Sequence, residues 1–279
     1  MNKHIRLISL TLIATLLLTA CGSLAAQPPP PTAIPQTTLT IAGSGGAATV
    51  LKYLAEAYGK QHNEMTFEFL SGSSSGGGIT GVLDGTLDLG TMSRPPKDSE
   101  LASGIKYLAF SSDRVAIITS SDLSISGLTS QQVKDIFLGN ITNWSAVGGP
   151  NANISLLVRD EEESSTQILR TELFGDGAFA AGSVAFTSDA DMRDALSKVG
   201  KNTVAFLGYN QLRLSDAKVH ILVIDGQDPT ELGGNYPYLR LMGVAYLPSN
   251  AAKVQPFLDF IASPEALALL AEKGISPPK

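Results

Sequence analysis

The feature that most constrains the fold is a run of serine and glycine at residues 71–78, placed between two periodic segments. Before the run, apolar residues alternate with more polar ones over residues 65–69, which predicts a β-strand. After it, apolar residues recur at spacings of three and four over residues 79–83, which predicts a short helix. A strand, a turn and a helix in this order direct unpaired N–H groups into the turn.

This turn predicts an anion site. The candidate ligand residues are Ser74, Ser75 and Gly76, because backbone N–H groups and serine hydroxyls both donate to oxyanions. A flexible Gly/Ser linker is the alternative interpretation. The turn is not a P-loop, since no Gly-Lys-Ser/Thr follows, and it does not match the dinucleotide fingerprint with its downstream acid. A small oxyanion therefore fits better than a nucleotide.

A second strand, turn and helix come earlier in the chain. Residues 38–42 alternate as a strand, residues 43–46 are rich in glycine, and residues 49–58 carry the apolar face of a helix. The candidate ligand residues here are Ser44, Gly45 and Thr49. Turns from neighbouring parallel strands meet at the carboxyl edge of the sheet, where open α/β proteins bind their ligands.

A third strand, predicted from residue 87 onward, delivers Ser93 and Arg94 to the same edge. Arg94 has two interpretations, a ligand contact or a support for the edge of the cleft. In the second half of the chain, a strand over residues 154–158 leads to Arg159 and then to Ser164, Ser165 and Thr166. A guanidinium fork and a helix N-terminus repeat the anion-site pattern, although an ordinary Ser/Thr cap is the alternative.

Composition narrows the function classes. The 279 residues suit two lobes, and 43% hydrophobic residues are enough for a sizeable core. A net charge of −6 argues against nucleic acid as a partner. The three histidines and one cysteine form no metal-ligand spacing, so neither a metal nor a cofactor is expected.

The N-terminus predicts export and a lipid anchor. Residues 1–20 combine a positive start with an apolar stretch too short to span a bilayer, as in a signal peptide. Cys21 ends a Leu-Thr-Ala-Cys sequence that resembles the lipobox of bacterial lipoproteins. Residues 21–38 are rich in proline and are predicted to be a tether. We therefore expect an extracytoplasmic protein held at the cell membrane by its N-terminal lipid alone.

Together these stretches resemble the phosphate-binding protein of the bacterial high-affinity phosphate ABC transporter. The similarity runs from about residue 39 to the C-terminus. Its most specific blocks are residues 72–78 with 84–90, 93–95, 135–144, Arg159 with 164–166, and 257–265. The resemblance implies an α/β, two-lobed periplasmic-binding-protein fold of type II, each lobe a mixed, mostly parallel sheet flanked by helices. Residues 39–118 with 223–279 would form lobe 1, and residues 119–222 lobe 2.

The resemblance also implies how the ligand is held. Ser75 and Arg159 match the family's ligand serine and arginine, and residues 164–166 match its Ser-Gly-Thr, with Ser165 in place of the glycine. One residue is inserted between Arg159 and Ser164 relative to the family pattern. Ser93 stands where some members carry an aspartate that accepts the proton of hydrogen phosphate. Asp88 and Asp113 are alternative sources of that acceptor.

These inferences lead to a ranked set of functions. The first is a monomeric solute-binding protein that captures inorganic phosphate and delivers it to the permease subunits of an ABC importer. A binder of another tetrahedral oxyanion, such as sulfate, and a non-transport sensor or adhesin are the alternatives. A serine hydrolase is disfavoured, because the chain has no Gly-x-Ser-x-Gly elbow and no histidine placed as a base. We therefore expect no enzymatic activity.

Overall fold

The computed structural model describes residues 36–187, 189–198 and 201–279. The predicted signal peptide, Cys21 and most of the predicted tether lie outside the described residues. The tether prediction extended too far, because the first strand already begins at Thr37, where it pairs with Met65.

Eleven strands and nine α-helices are found in the described part of the chain, together with two short 3-10 helices, Trp144–Val147 and Pro248–Asn250. The strands are β1 Thr37–Gly43, β2 Met65–Phe69, β3 Leu89–Met92, β4 Lys106–Ser120, β5 Gly127–Leu128, β6 Ser155–Arg159, β7 Val184–Phe186, β8 Thr203–Gly208, β9 Val219–Ile221, β10 Val223–Ile224 and β11 Leu239–Tyr246. The helices are α1 Gly45–Gly59, α2 Ser75–Leu83, α3 Asp98–Ala102, α4 Ser130–Phe137, α5 Ser164–Leu169, α6 Asp189–Lys198, α7 Tyr209–Arg213, α8 Ala251–Ile261 and α9 Pro264–Glu272. A π-helical turn, Arg170–Phe174, continues α5.

The main sheet has the strand order β2-β1-β3-β11-β4-β8-β6-β7, and β9 also pairs with β4. The first three strands are parallel and are connected through α1 and α2, as in βαβ units. Strand β11 is antiparallel to both β3 and β4. Parallel β1, β2 and β3 therefore end at the same edge, where α1 and α2 begin.

The long strand β4 joins the two lobes. Its first part pairs with β11, and its second part, from Val115 onward, pairs with β8. Val115 and Ile117 enter one hydrophobic cluster, whereas Ala116 and Ile118 enter another. Both faces of this segment are covered, which explains why its sequence is a continuous apolar run rather than an alternating one.

The hydrophobic clusters place the lobe crossings differently from the sequence prediction. Leu222, Ile224, Tyr236 and Tyr238 pack in the cluster of the second lobe, and Met242 in that of the first. The chain thus crosses near residues 114–115 and returns near residues 238–240, instead of at 118–119 and 222–223. The extended segment that includes residues 236–238 carries no local signal that tells which core its tyrosines enter.

None of the described helices is both long and apolar enough to cross a bilayer by itself. The successive segments Pro248–Ile261 and Pro264–Glu272 meet that test only as a pair, bent by 53°.

Asp88 ties the sheet to α8. Its carboxylate accepts hydrogen bonds from Lys253 Nζ at 2.7 and 2.8 Å, from Asn250 Nδ2 at 2.8 Å, and from the N–H and hydroxyl of Thr40 at 2.8 and 3.0 Å. Burial alone would raise the pKa of Asp88, but these hydrogen bonds outweigh it and the pKa lies below its ordinary value. Asp88 therefore stabilises the fold at the end of β3 opposite Ser93, away from the cleft.

We expect Asp88→Asn to lower the free energy of unfolding at pH 7 by about 1 kcal/mol, the size of a partly exposed charge pair. A depressed folded pKa gives stability that is present above the unfolded pKa of about 3.9 and is lost as pH falls through the folded value. The difference between variant and wild type should therefore shrink below pH 4. Urea unfolding between pH 7 and pH 3 measures it, and a constant difference would contradict this role.

Candidate anion-binding site

The carboxyl end of β1 turns sharply into α1. Gly43 has a φ of +130°, and a side-chain carbon there would overlap the carbonyl oxygen of Thr91, so only glycine fits. Ser44 is the N-cap, but its hydroxyl makes no capping hydrogen bond. Ala48 is the first residue whose N–H donates within the turn, to the carbonyl of Ser44. The N–H groups of residues 45–47 are therefore left for an anion.

The N-terminus of α2 supplies two serine hydroxyls whose oxygens already accept hydrogen bonds. Ser74 Oγ accepts the N–H of Gly77 at 3.2 Å, and Ser75 Oγ accepts the N–H of Ser93 at 3.1 Å. Because each hydroxyl is an acceptor in the fold, each keeps its proton to donate elsewhere. Gly76 follows Ser75 in the first turn of α2 and adds a backbone N–H at the same place.

Ser93 lies at the end of β3, fully buried, with its Oγ 2.6 Å from Ser44 Oγ. One of these two hydroxyls donates to the other, so the pair has one proton left for a ligand. The two predicted turns are thus joined by contacts among Ser44, Ser75 and Ser93.

Arg94 takes part in a different interaction. Its two terminal nitrogens each lie 2.7 Å from an oxygen of Glu100. Hydrogen bonding to Glu100 raises the pKa of Arg94, and the same bonds lower the pKa of Glu100. Of its two interpretations, this geometry favours support of the cleft edge over contact with the ligand.

The second lobe contributes Arg159, the last residue of β6, which is only 2% exposed. Its Nη2 donates to the carbonyl of Thr187 at 3.1 Å and lies 3.0 Å from Glu163 Oε2. The helix α5 then begins at Ser164, two residues before the predicted start at Thr166, so residues 164–166 form its first turn.

The two threonines donate their hydroxyl protons inside the fold. Thr166 Oγ1 donates to the carbonyl of Arg159 at 3.2 Å, and Thr49 Oγ1 donates to the carbonyl of Gly45 at 2.9 Å. Thr166 and Ser165 are buried, and both offer backbone N–H groups at the helix N-terminus. The serines are therefore better hydroxyl donors to a ligand than the threonines.

Two cavities flank the junction of the lobes. One, of about 540 Å³, is lined by Gly45, Thr49, Gly72, Ser73, Ser74, Arg159, Asp160, Glu162, Glu163, Thr187 and Arg193. The other, of about 390 Å³, is lined by Ser93, Arg94, Pro95, Ser112, Ser164, Gln167, Ile168, Thr171, Leu239, Arg240, Leu241 and Lys279. Each cavity therefore contains predicted site residues from both halves of the sequence. The first has Gly45, Thr49 and Ser74 with Arg159, and the second has Ser93 and Arg94 with Ser164.

Arg240 was not among the predicted site residues, and Asp113 was predicted only as an alternative proton acceptor. Arg240 lies on β11 directly opposite Asp113 on β4, and its Nε and Nη2 donate to Asp113 Oδ2 at 3.0 and 2.8 Å. Its Nη1 donates to Ser164 Oγ at 2.7 Å. The available signal was an arginine within an otherwise apolar stretch, residues 238–242. The pairing itself depends on the strand register and cannot be found locally.

The arrangement can bind a small oxyanion. Helix N-termini from both lobes, serine hydroxyls and buried arginines are all hydrogen-bond donors, and they surround the same junction. Fold and site together define a two-lobed α/β binding protein of the periplasmic-binding-protein type. The family model of the PBP superfamily domain matches residues 28–265, and the chain therefore belongs to the PBP superfamily.

The resemblance noted from the sequence is confirmed by curated relatives. The chain is 35% identical over 107 residues to the phosphate-binding protein PstS 2 of Streptococcus agalactiae, a match that covers 38% of this chain and 36% of that protein. It is 24% identical over 248 residues to PstS of Borreliella burgdorferi, covering 85% and 88% of the two chains. It is 25% identical over 249 residues to PstS of Bacillus subtilis, covering 86% and 80%.

Solved structures support the same fold. A Clostridium perfringens protein, assigned as a phosphate ABC transporter substrate-binding protein and solved with bound phosphate, matches with a TM-score of 0.78 and 24% identity. The match covers 87% of this chain and all of that one. A phosphate transport receptor from Vibrio cholerae matches with a TM-score of 0.64 and 24% identity, covering 86% of this chain and 100% of the receptor. The predicted two-lobed α/β fold is therefore confirmed.

Proposed function

We propose that this chain is an extracytoplasmic solute-binding protein that captures inorganic phosphate between its lobes and delivers it to an ABC importer. The observation that carries the proposal is the meeting of donors from both lobes at one junction. In one cavity, Gly45 of α1 and Ser74, the N-cap of α2, meet Arg159 of lobe 2. In the other cavity, Ser164 in the first turn of α5 meets Ser93 and Arg240 of lobe 1. The names of the relatives support phosphate as the ligand.

The same site argues against hydrolysis. His62 pairs with Glu64 at 2.9 Å and stacks on Tyr58 with ring centroids 4.0 Å apart. His220 lies on β9, and neither histidine hydrogen-bonds to a site serine within the described residues. A serine nucleophile needs a base within hydrogen-bond reach. Binding without turnover is therefore the function we propose.

Sulfate is the second candidate ligand, because the aspartates that could reject it are paired with other side chains. The carboxylates of Asp88 and Asp113 are engaged by Lys253 and Arg240, and Ser93 provides a hydroxyl where a carboxylate would reject sulfate. The hydroxyl pair of Ser44 and Ser93 can donate its free proton to either anion. We therefore place phosphate first and expect weaker discrimination than in an aspartate-bearing relative.

Calorimetry tests the proposal. The purified chain, stripped of bound anions, is titrated with phosphate, sulfate and arsenate, with chloride at equal ionic strength as the control. We expect saturable binding of phosphate, and of arsenate as its tetrahedral analogue. A chain that shows no phosphate binding at concentrations of about 1 mM, where even a weak affinity of about 4 kcal/mol would be seen, contradicts the proposal.

Membrane attachment through Cys21 is a further part of the proposal. We expect Cys21→Ser to release the protein from the membrane fraction, because the lipid is its proposed anchor. Stable anchoring needs more than one acyl chain, as a lipoprotein cysteine carries. Fractionation of cells followed by immunoblotting measures the effect, with Ser23→Ala as the matched control. Wild-type protein found entirely in the soluble fraction would contradict the anchor.

A further inference from the structure

Arg240 and Asp113 form a buried ion pair at the place where the chain crosses between lobes. The side chain of Arg240 is 4% exposed and that of Asp113 is fully buried, with nitrogen and oxygen 2.8 Å apart. Asp113 uses its other oxygen to accept the N–H of Asn210 at 2.8 Å. Breaking a buried pair by removal of one partner is costly, so each side chain fixes the other.

Two glycines make room for the pair. A side-chain carbon on Gly208 would overlap both Arg240 Nη2 and Asp113 Oδ2, although the φ of −62° at Gly208 suits any residue. A side-chain carbon on Gly46 would lie 2.9 Å from Arg240 Nη2 and 3.1 Å from Ser93 Oγ. The guanidinium therefore lies directly against the first turn of α1, beside the buried serines.

The donors of Arg240 are only partly used. A guanidinium has five N–H groups, and the contacts to Asp113 and Ser164 account for three of them. The other two are on Nη1, next to the start of α5, and on Nη2, next to the start of α1. Two donors are thus left at the junction where an anion would meet both lobes.

Arg240 also determines the polarity of Ser164. The hydroxyl oxygen of Ser164 accepts the proton of Arg240 Nη1 at 2.7 Å, so its own proton must go to a different acceptor. At the N-terminus of α5, an anion in the cleft is the acceptor that this geometry suits. Arg240 thus prepares a donor on the lobe opposite to its own.

We propose that Arg240 is a ligand of the bound anion, contacting it from lobe 1 and orienting Ser164 of lobe 2 toward it, and that Asp113 is the positioning residue for Arg240. This inference rests on the proposed function, because it assigns residues to the same oxyanion site. The proposal gives a reason for burying both charges here. Arg240 would donate to the anion, whereas Asp113, which as a carboxylate can only accept hydrogen bonds, would hold Arg240 in place.

Arg114 provides a matched control. It follows Asp113 on β4 and is also buried, but it donates to the carbonyls of Glu231 and Gly274 and to Ser276 Oγ, and it stacks on Tyr209. None of these four partners of Arg114 lines either cavity. It should therefore affect stability without affecting anion binding.

The experiment measures phosphate affinity by calorimetry and thermal unfolding without phosphate, on the full chain and on Arg240→Lys, Arg114→Lys, Gly208→Ala and Gly59→Ala. We expect Arg240→Lys to weaken phosphate binding about tenfold or more, the effect of one lost charge-assisted hydrogen bond, and Arg114→Lys to leave it within about twofold. Gly208→Ala should weaken binding as well, because it displaces the pair without removing a polar group. Gly59, with no atom within 4 Å of an added side-chain carbon, should tolerate alanine.

A double-mutant cycle separates positioning from a merely structural role. If Asp113 acts through Arg240, Asp113→Asn combined with Arg240→Lys binds phosphate as weakly as Arg240→Lys alone. Independent, additive losses would overturn the positioning role. If the wild type binds phosphate and both Arg240→Lys and Gly208→Ala bind it equally well, the inference is overturned and the proposed function stands. Absence of phosphate binding by the wild type overturns both. Should Arg240→Lys fail to fold, Gly208→Ala decides between these outcomes.

Discussion

Arg159→Ala is expected to weaken phosphate binding more than tenfold. The change removes a buried guanidinium at the end of β6, which faces the cavity also lined by Gly45 and Ser74. Charge-assisted hydrogen bonds contribute roughly 1.5–3 kcal/mol each, which corresponds to about tenfold or more in affinity. It also removes the cation 3.0 Å from Glu163, whose carboxylate then repels the anion. Calorimetric titration with phosphate measures the effect.

Two further variants sharpen this test. Arg159→Lys keeps a charge but loses the planar fork, so its affinity should lie between those of wild type and Arg159→Ala. Arg170→Ala is the matched control in the same lobe, because Arg170 pairs with Glu161 and stacks on Phe179 rather than lining the cavity. Unchanged phosphate affinity in Arg159→Ala would mean that Arg240 and backbone donors hold the anion without it.

Ser93→Asp is expected to separate phosphate from sulfate. Ser93 is fully buried beside Ser44, so a carboxylate there would face the anion with little screening by water. Hydrogen phosphate can donate a proton to that carboxylate, whereas sulfate has none and is repelled. Like charges in contact cost several kcal/mol, so sulfate affinity should fall on the order of a hundredfold and phosphate affinity far less.

Competition calorimetry with both anions measures the change, and Ser93→Asn, of similar size but neutral, is the control. Equal loss of both anions in Ser93→Asp would show that Ser93 donates to the ligand, and our interpretation of this position would be wrong. A wild type that ignores sulfate, combined with an Asp113→Asn variant that binds it, would transfer the acceptor role to Asp113.

The local parts of the site could be predicted from the sequence. The order of strand, Gly/Ser segment and helix is as the patterns predicted, because these three parts are encoded within about fifteen residues. The helix starts are not: α2 begins at Ser75, inside the predicted turn, and α5 begins at Ser164, two residues before the predicted Thr166.

Helix α1 likewise begins at Gly45 rather than at the predicted Thr49. The helix begins with Gly45, Gly46, Ala47 and Ala48, which contain no large apolar residue at helical spacing. Its first turn therefore could not be recognised from the hydrophobic pattern.

The non-local parts could not be predicted. Arg240 and Asp113 are 127 residues apart and meet only because β11 pairs with β4 in one register. Asp88 and Lys253 are likewise 165 residues apart. Because their pairing is not visible in the sequence, Asp88 remained a plausible source of the proton acceptor at the site. A charged residue at the end of a strand has the same local signal whether it binds a ligand or a distant side chain.

Hydrogen exchange followed by mass spectrometry tests the central claim most directly, because it shows where phosphate is held. The full chain is labelled with and without saturating phosphate, with chloride at equal ionic strength as the control. We predict slower exchange in the first turns of α1 and α2 of lobe 1 and of α5 of lobe 2 together, and no change in α9. Phosphate that slows exchange in only one lobe, or in neither, would contradict an anion site between them.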